Sequence, residues 1–196
     1  MNQRQAHLAI DLGGVLLTDG TKTAFLALED CFGIDARRSA HAWYSYWRIP
    51  IEIGAMPESV LWERLAAFAP SPVATNAIRE AFLGEFRPIV YGIEFLRDAH
   101  DAGATVVLAT NHVASWIHRW QEQFDWFQMV GPIFCSSTMG CRKPQADFYR
   151  DVRVGVGSEE CYFIDDNPEN VEAATTAGFN GILAEGDWST RIPLAR

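Results

Sequence analysis

From residue 104 to 184 the chain alternates short apolar runs with helical stretches, and this alternation limits the possible folds more than any other feature. "ATVVLATN", "GPIFCSS", "CYFIDD" and "FNGILA" read as strands, because they are too short and too bounded by turn residues for helices. Between them "VASWIHRWQEQF", "PQADFYRDV" and "PENVEAATTAG" carry helical spacing. Apolar strands separated by helices imply a parallel sheet covered on both faces. One further strand, "AHLAID", stands near the start of the sequence and stops at a glycine pair. From Thr21 to about Phe86 the pattern is helical, in "TKTAFLALEDCF", "ARRSAHAWYSYW", "PESVLWERLAAFA" and "PVATNAIREAFLGEF". After Arg87-Pro88 another helix, "IVYGIEFLRDAHDAG", ends on Gly103. The expected fold class is therefore α/β, a doubly wound parallel sheet with a small all-helical cap. The core is expected in residues 1–18 and 88–196 and the cap in 19–87. A chain of 196 residues suits one such core with one insertion.

In sheets of this kind ligands bind beyond the carboxyl ends of the strands. That edge is expected to hold Asp11, Thr110-Asn111, Ser136-Ser137 and Asp165-Asp166. Three carboxylates brought together repel unless a cation joins them, and a hard divalent ion such as Mg²⁺ answers that need. The alternative is that the acids cap the helices that follow, as Asp-Asn-Pro at 166–168 suggests. Thr110 and Asn111 end a strand and open a helix, where a hydroxyl and amides can hold an anion. Lys143, in the loop "GCRKPQADFY", is placed to neutralise a phosphate.

Composition narrows the partners. The net charge is −9, from 16 basic and 25 acidic residues, with no cluster of Lys and Arg. Nucleic acid and anionic membrane are thus not expected partners. No apolar run is long enough to span a bilayer, and "MNQRQAHLAID" lacks the pattern of a signal peptide. Cys31, Cys135, Cys141 and Cys161 form no CxxC pair, which points to free thiols and a cytoplasmic setting.

Taken together, "IDLGGVLLTD", "VVLATNH", "GCRKPQADFY" and "CYFIDDNPENVEAATTAG" resemble, in order, the four motifs of the haloacid-dehalogenase-like hydrolase superfamily. The resemblance covers nearly the whole chain, and the helical insertion lies where that family carries its alpha-helical cap. It is closest to the small phosphatases whose first motif reads Asp-Leu-Gly. The resemblance implies hydrolysis of a small phosphorylated metabolite through an aspartyl-phosphate on Asp11. It implies Mg²⁺ held by Asp11, the Gly13 carbonyl and Asp166, with Asp165 in support. Phosphate would be held around Leu12, Gly13, Thr110, Asn111 and Lys143, and the catalytic set would be Asp11, Thr110 and Lys143. The chain is expected to act as a monomer or homodimer.

One position departs from the pattern. Phosphatases of this superfamily commonly carry a second Asp where this chain has Gly13, to protonate the leaving group. Asp19 and His112 are the nearby candidates to replace it. The departure also admits a 2-haloacid dehalogenase, or a catalytically weak phosphate-binding relative. Dehalogenation needs no metal, however, and leaves Asp165-Asp166 without a use. A phospho-accepting receiver domain is excluded by motif order. In the cap, Trp43, Tyr46 and Trp47 are expected on one helical face. Arg48 and Glu52 are candidates for substrate contact.

Overall fold

A computed structural model describes residues 6–158 and 160–194. The outermost residues of the expected core segments, 1–5 and 195–196, lie outside this range. The sheet has five parallel strands: β1 (His7–Ile10), β2 (Thr105–Thr110), β3 (Ile133–Cys135), β4 (Tyr162–Asp165) and β5 (Asn180–Leu183). Their order is β3-β2-β1-β4-β5. β1 lies in the middle, with Leu8 aligned to Val106 on one side and Tyr162 on the other.

A two-residue side-chain period sends alternate residues of each strand to opposite faces. Leu8, Ile10, Val106, Leu108 and Ile164 enter one apolar cluster. Ala9, Val107, Ala109 and Phe163 enter a second. This double burial is why the strands read as continuous apolar runs rather than as alternation.

The segment between β1 and the second half of the sheet is helical, in α1 (Thr21–Phe32), α2 (Ala36–Ala42), α3 (Arg48–Glu52), α4 (Glu58–Ala66) and α5 (Thr75–Leu83). It then continues into α6 (Val90–Asp101). The later helices are α7 (Ala114–Gln123), the short α8 (Ser136–Met139), α9 (Ala146–Val156) and α10 (Pro168–Thr176). Buried residues of α6 and α7 join the first cluster, and those of α9 and α10 the second, so helices cover both faces. Among the described residues no helix is long and apolar enough to cross a membrane.

The α1–α5 segment packs on α7 through aromatic rings. Trp43 stacks on Trp116 at 6.0 Å, and Phe82 meets Trp116 at 5.4 Å between ring centres. Two expectations change here. Trp43–Trp47 is a π turn in which the Arg48 N–H donates to the Trp43 carbonyl five residues back. A step of four residues then nearly completes the wider turn, and a step of three falls short. Trp43 and Trp47 are accordingly buried, while Tyr46 is 65% exposed and faces away from them. The other change is at β3, which stops at Cys135, so Ser136 and Ser137 open α8 instead of ending a strand.

Candidate active site

The strand order reverses between β1 and β4, and the crevice at that point collects the chemistry. Asp11 follows β1 directly and lies buried, with the Leu12 N–H donating to its Oδ1 at 2.7 Å. Lys143 Nζ lies 2.9 Å from Asp11 and 2.5 Å from Asp165, and no part of its side chain reaches solvent. Asp11, Asp165 and Asp166 offer carboxylate oxygens all within 4.8 Å of one another. Burial raises the Asp11 carboxyl to about 7, against the pull of the Lys143 ammonium and the Thr110 hydroxyl and with the push of Asp165. One lysine does not balance three carboxylates in so tight a space, and all the donors are hard oxygens. This set fits a small divalent cation.

The acids are not spent on capping. Asn167 caps α10, its side chain accepting from the Glu169 N–H at 2.9 Å. Asp165 takes direct hydrogen bonds from Asn170 Nδ2 at 3.0 and 3.1 Å and from the Asn167 N–H at 2.9 Å. It is thus anchored in the protein, whereas Asp166 is exposed and lines the cavity.

Asp166 also depends on Gly14. That residue has φ +72°, and a Cβ there would lie 2.0 Å from Asp166 Oδ2. Gly14→Ala is expected to cost about 1–2 kcal/mol for the left-handed backbone alone and to push the carboxylate aside. Denaturant unfolding and a Mg²⁺ titration of the variant measure the two effects. Unchanged Mg²⁺ binding would show that Asp166 is not placed by this contact.

Thr110, at the end of β2, is buried against Asp11. Asn111 clasps the backbone of Lys143, accepting from its N–H at 2.8 Å and donating to its carbonyl at 3.0 Å. The amides at the start of α7 are partly taken. The His112 N–H donates to Ser136 Oγ at 3.0 Å and the Ala114 N–H to Ser137 Oγ at 2.9 Å. Ser136 and Ser137 therefore secure α7 and do not line the cavity.

Asp19, His112, Arg48 and Glu52 all line the same cavity of about 330 Å³. Gly13 lines it too, and no Cβ contact within 4 Å would meet a side chain placed there. His112 is boxed by Phe86, Trp116 and Trp120, with ring centres 4.9–6.0 Å away. Burial lowers its pKa from 6.5 to about 4, so it is neutral at pH 7 and has no imidazolium proton to pass to a leaving group. Because the unfolded chain takes up this proton first, stability conferred by the neutral ring is full above 6.5 and is lost as pH falls toward 4. The loss is of order 2–3 kcal/mol. Thermal unfolding of wild type and His112→Gln across this range checks it, the variant showing the flatter profile.

The contribution least visible in the sequence is Arg142. Its Nη2 lies 2.9 Å from Glu52 Oε2, while Glu52 Oε1 accepts from Arg48 Nε at 2.8 Å. Nothing in the spacing of residues 52 and 142 announces this meeting. The only signal is a lone acid among apolar residues, in "IPIEIGAM".

A family model described as haloacid dehalogenase-like hydrolase matches residues 6–178. A sesquiterpene phosphatase from Aspergillus oryzae is 33% identical over 113 residues, which are 57% of this chain and 58% of that one. The chain therefore spans less than two thirds of that relative. Among solved structures, a HAD family enzyme from Bacteroides thetaiotaomicron in complex with magnesium and inorganic phosphate superposes with a TM-score of 0.74. It is 19% identical, over 97% of this chain and 100% of that one. The L-2-haloacid dehalogenase of Xanthobacter autotrophicus, with chloropropionic acid covalently bound, superposes with a TM-score of 0.66 at 16% identity, over 90% and 76%. At these identities the likeness establishes the fold.

Proposed function

The chain belongs to the haloacid dehalogenase-like hydrolases, and from that premise we propose that it hydrolyses a small phosphate monoester with Asp11 as the attacking group. The observation that carries the reading is the buried Lys143 bridging Asp11 and Asp165 beside the open carboxylate of Asp166. The phosphatase relative and the magnesium and phosphate of the Bacteroides structure support it. Asp11, Asp166 and the Gly13 carbonyl are the residues suited to hold Mg²⁺, with Asp165 behind them. The ion, when bound, would offset the negative charge shared by these carboxylates and a phosphoryl group.

Asp11 attacks phosphorus in line, the P–O bond to the leaving alcohol breaks, and an aspartyl-phosphate forms. Water then attacks that phosphorus and returns the free carboxylate and inorganic phosphate. Lys143 holds negative charge on the transferring oxygens, and its clasp by Asn111 fixes where that charge acts. Thr110 donates a hydrogen bond to the same group. Leu12 spends its N–H on Asp11, which orients the nucleophile. No side chain at position 13 passes a proton to the leaving oxygen, so the rate depends steeply on how good a leaving group the alcohol is. Three gathered carboxylates, which displacement of halide has no use for, favour an ester over a haloacid.

We assign residues 19–87 as the cap over this site and the remainder as the core, because Trp43, Tyr44, Arg48 and Glu52 of that segment line the cavity. The free cysteines suit a reducing cytoplasm. The test is p-nitrophenyl phosphate turnover with Mg²⁺. Activity is expected with the ion and is expected to vanish on adding EDTA. Turnover indifferent to EDTA would exclude the metal from the mechanism.

A further inference from the structure

Glu52 is 6% exposed, and a carboxylate so buried needs cationic partners. It has two. Arg48, one turn back in α3, donates from Nε to Oε1 at 2.8 Å. Arg142 places its Nη2 2.9 Å from Oε2. The first contact stays within α3, whereas the second joins α3 to the loop that carries Lys143. Another contact lands on the same stretch of chain. Gly54, in the turn after α3, has φ +71°, and a Cβ there would lie 2.3 Å from the Ser137 carbonyl oxygen. Ser137 in turn accepts the Ala114 N–H on its Oγ at 2.9 Å. The stretch from Ser137 to Lys143 is thus braced by α3 and its turn on one side. The residues that open α7, Asn111 among them, brace it on the other.

We propose that Glu52 is a positioning residue, which holds Arg142 and through it sets where the Lys143 ammonium meets a phosphoryl group. The proposal rests on the phosphatase reading above. Lys143 follows Arg142 directly, and its Nζ lies between Asp11 and Asp165. A shift of Arg142 is passed to Lys143 through one peptide unit of fixed length. Asn111 anchors the Lys143 peptide through its N–H and carbonyl, and a single anchor lets the chain pivot about it. The pair of Glu52 with Arg142 supplies a second anchor one residue away. Two anchors on consecutive residues fix the direction of the chain as well as its place. A catalytic group misplaced by about 1 Å costs about 100-fold in rate, so a small pivot is enough. Glu52 acts here without touching the phosphate, and α3 becomes part of what holds the phosphate site.

Calorimetric titration of the full chain with inorganic phosphate and Mg²⁺ tests this, in wild type, Glu52→Gln, Arg142→Gln and the double variant. Phosphate carries no leaving group, so it reports on Lys143 and not on contacts to an alcohol. Each single variant is expected to bind phosphate about tenfold more weakly, with kcat for p-nitrophenyl phosphate falling by a similar factor. The double variant is expected to be no weaker than the singles, because both substitutions open the same link. Independent roles would instead multiply to about 100-fold. Melting temperatures verify folding. The double variant leaves no lone buried charge, since the Arg48 side chain is 40% exposed, and it carries the test if Glu52→Gln does not fold. Unchanged phosphate affinity in the folded variants would overturn the proposal. A shift in KM alone would then mark a contact to the alcohol, and a shift in melting temperature alone a structural role. Multiplied losses, or a wild type that binds no phosphate, would overturn it too. Phosphate binding that depends on the pair, in a protein without turnover of p-nitrophenyl phosphate, would keep the positioning role and remove the phosphatase reading.

Discussion

Asp11→Asn is expected to lower p-nitrophenyl phosphate turnover by at least about 10⁴-fold, the order seen when an enzyme loses its covalent nucleophile. The amide is the same size as the carboxylate, so packing is preserved and the effect is chemical. Lys143 keeps a partner in the variant, because Asp165 lies 2.5 Å from its Nζ. No buried cation is therefore left alone, which is the usual reason such substitutions unfold a protein. Loss of one negative charge also relieves repulsion against Asp165. The metal-free variant should consequently melt at or above the wild-type temperature while being inactive. A large fall in melting temperature would mean that Asp11 is part of the scaffold, and the loss of rate would then say nothing about chemistry.

Gly13→Asp is expected to act in the opposite direction and to increase activity. Gly13 is not in the left-handed region, and a Cβ built on it has no atom within 4 Å, so the side chain enters the cavity without strain. A carboxyl group there stands beside the leaving oxygen of a phosphate on Asp11. General acid help of this kind contributes about 10²–10⁴-fold. The gain should fall on alkyl phosphates, whose alkoxides need a proton, and be small for p-nitrophenyl phosphate, whose phenolate leaves unaided. Rates over a series of leaving groups measure this, as a shallower dependence in the variant. An equal gain on every ester would point to altered binding, and no gain on any would show that the leaving oxygen lies elsewhere.

The sheet and its edge were legible because they rest on strong local signals. Double burial writes itself into the sequence as unbroken apolar runs, and α1 spans Thr21–Phe32 as its spacing indicated. Asp11, Thr110 and the acid pair are expected at one sheet edge because strand ends predict where ligands lie, Lys143 is expected from a loop bounded by glycine and proline, and the fold brings these side chains together. What spacing did not yield came from geometry it does not encode. The π turn at Trp43–Trp47 breaks the three-and-four rule, which put Tyr46 on the wrong face. The serines after β3 resembled site residues and instead hold the amides of α7. Asn167, between an acid and a proline, takes the capping role that the spacing offers equally to the aspartates. Spacing marks Glu52 only as a candidate contact, and its pairing with Arg142 arises because the α1–α5 segment folds back over the loop that carries Lys143.

The most direct test of the central claim is to trap the intermediate. The protein is mixed with p-nitrophenyl phosphate and Mg²⁺, quenched in acid within milliseconds, digested, and its peptides weighed. The account predicts one added phosphoryl group on the peptide bearing Asp11, and none in Asp11→Asn. Phosphate released with no phosphorylated peptide, or a phosphoryl group on any other residue, would contradict it.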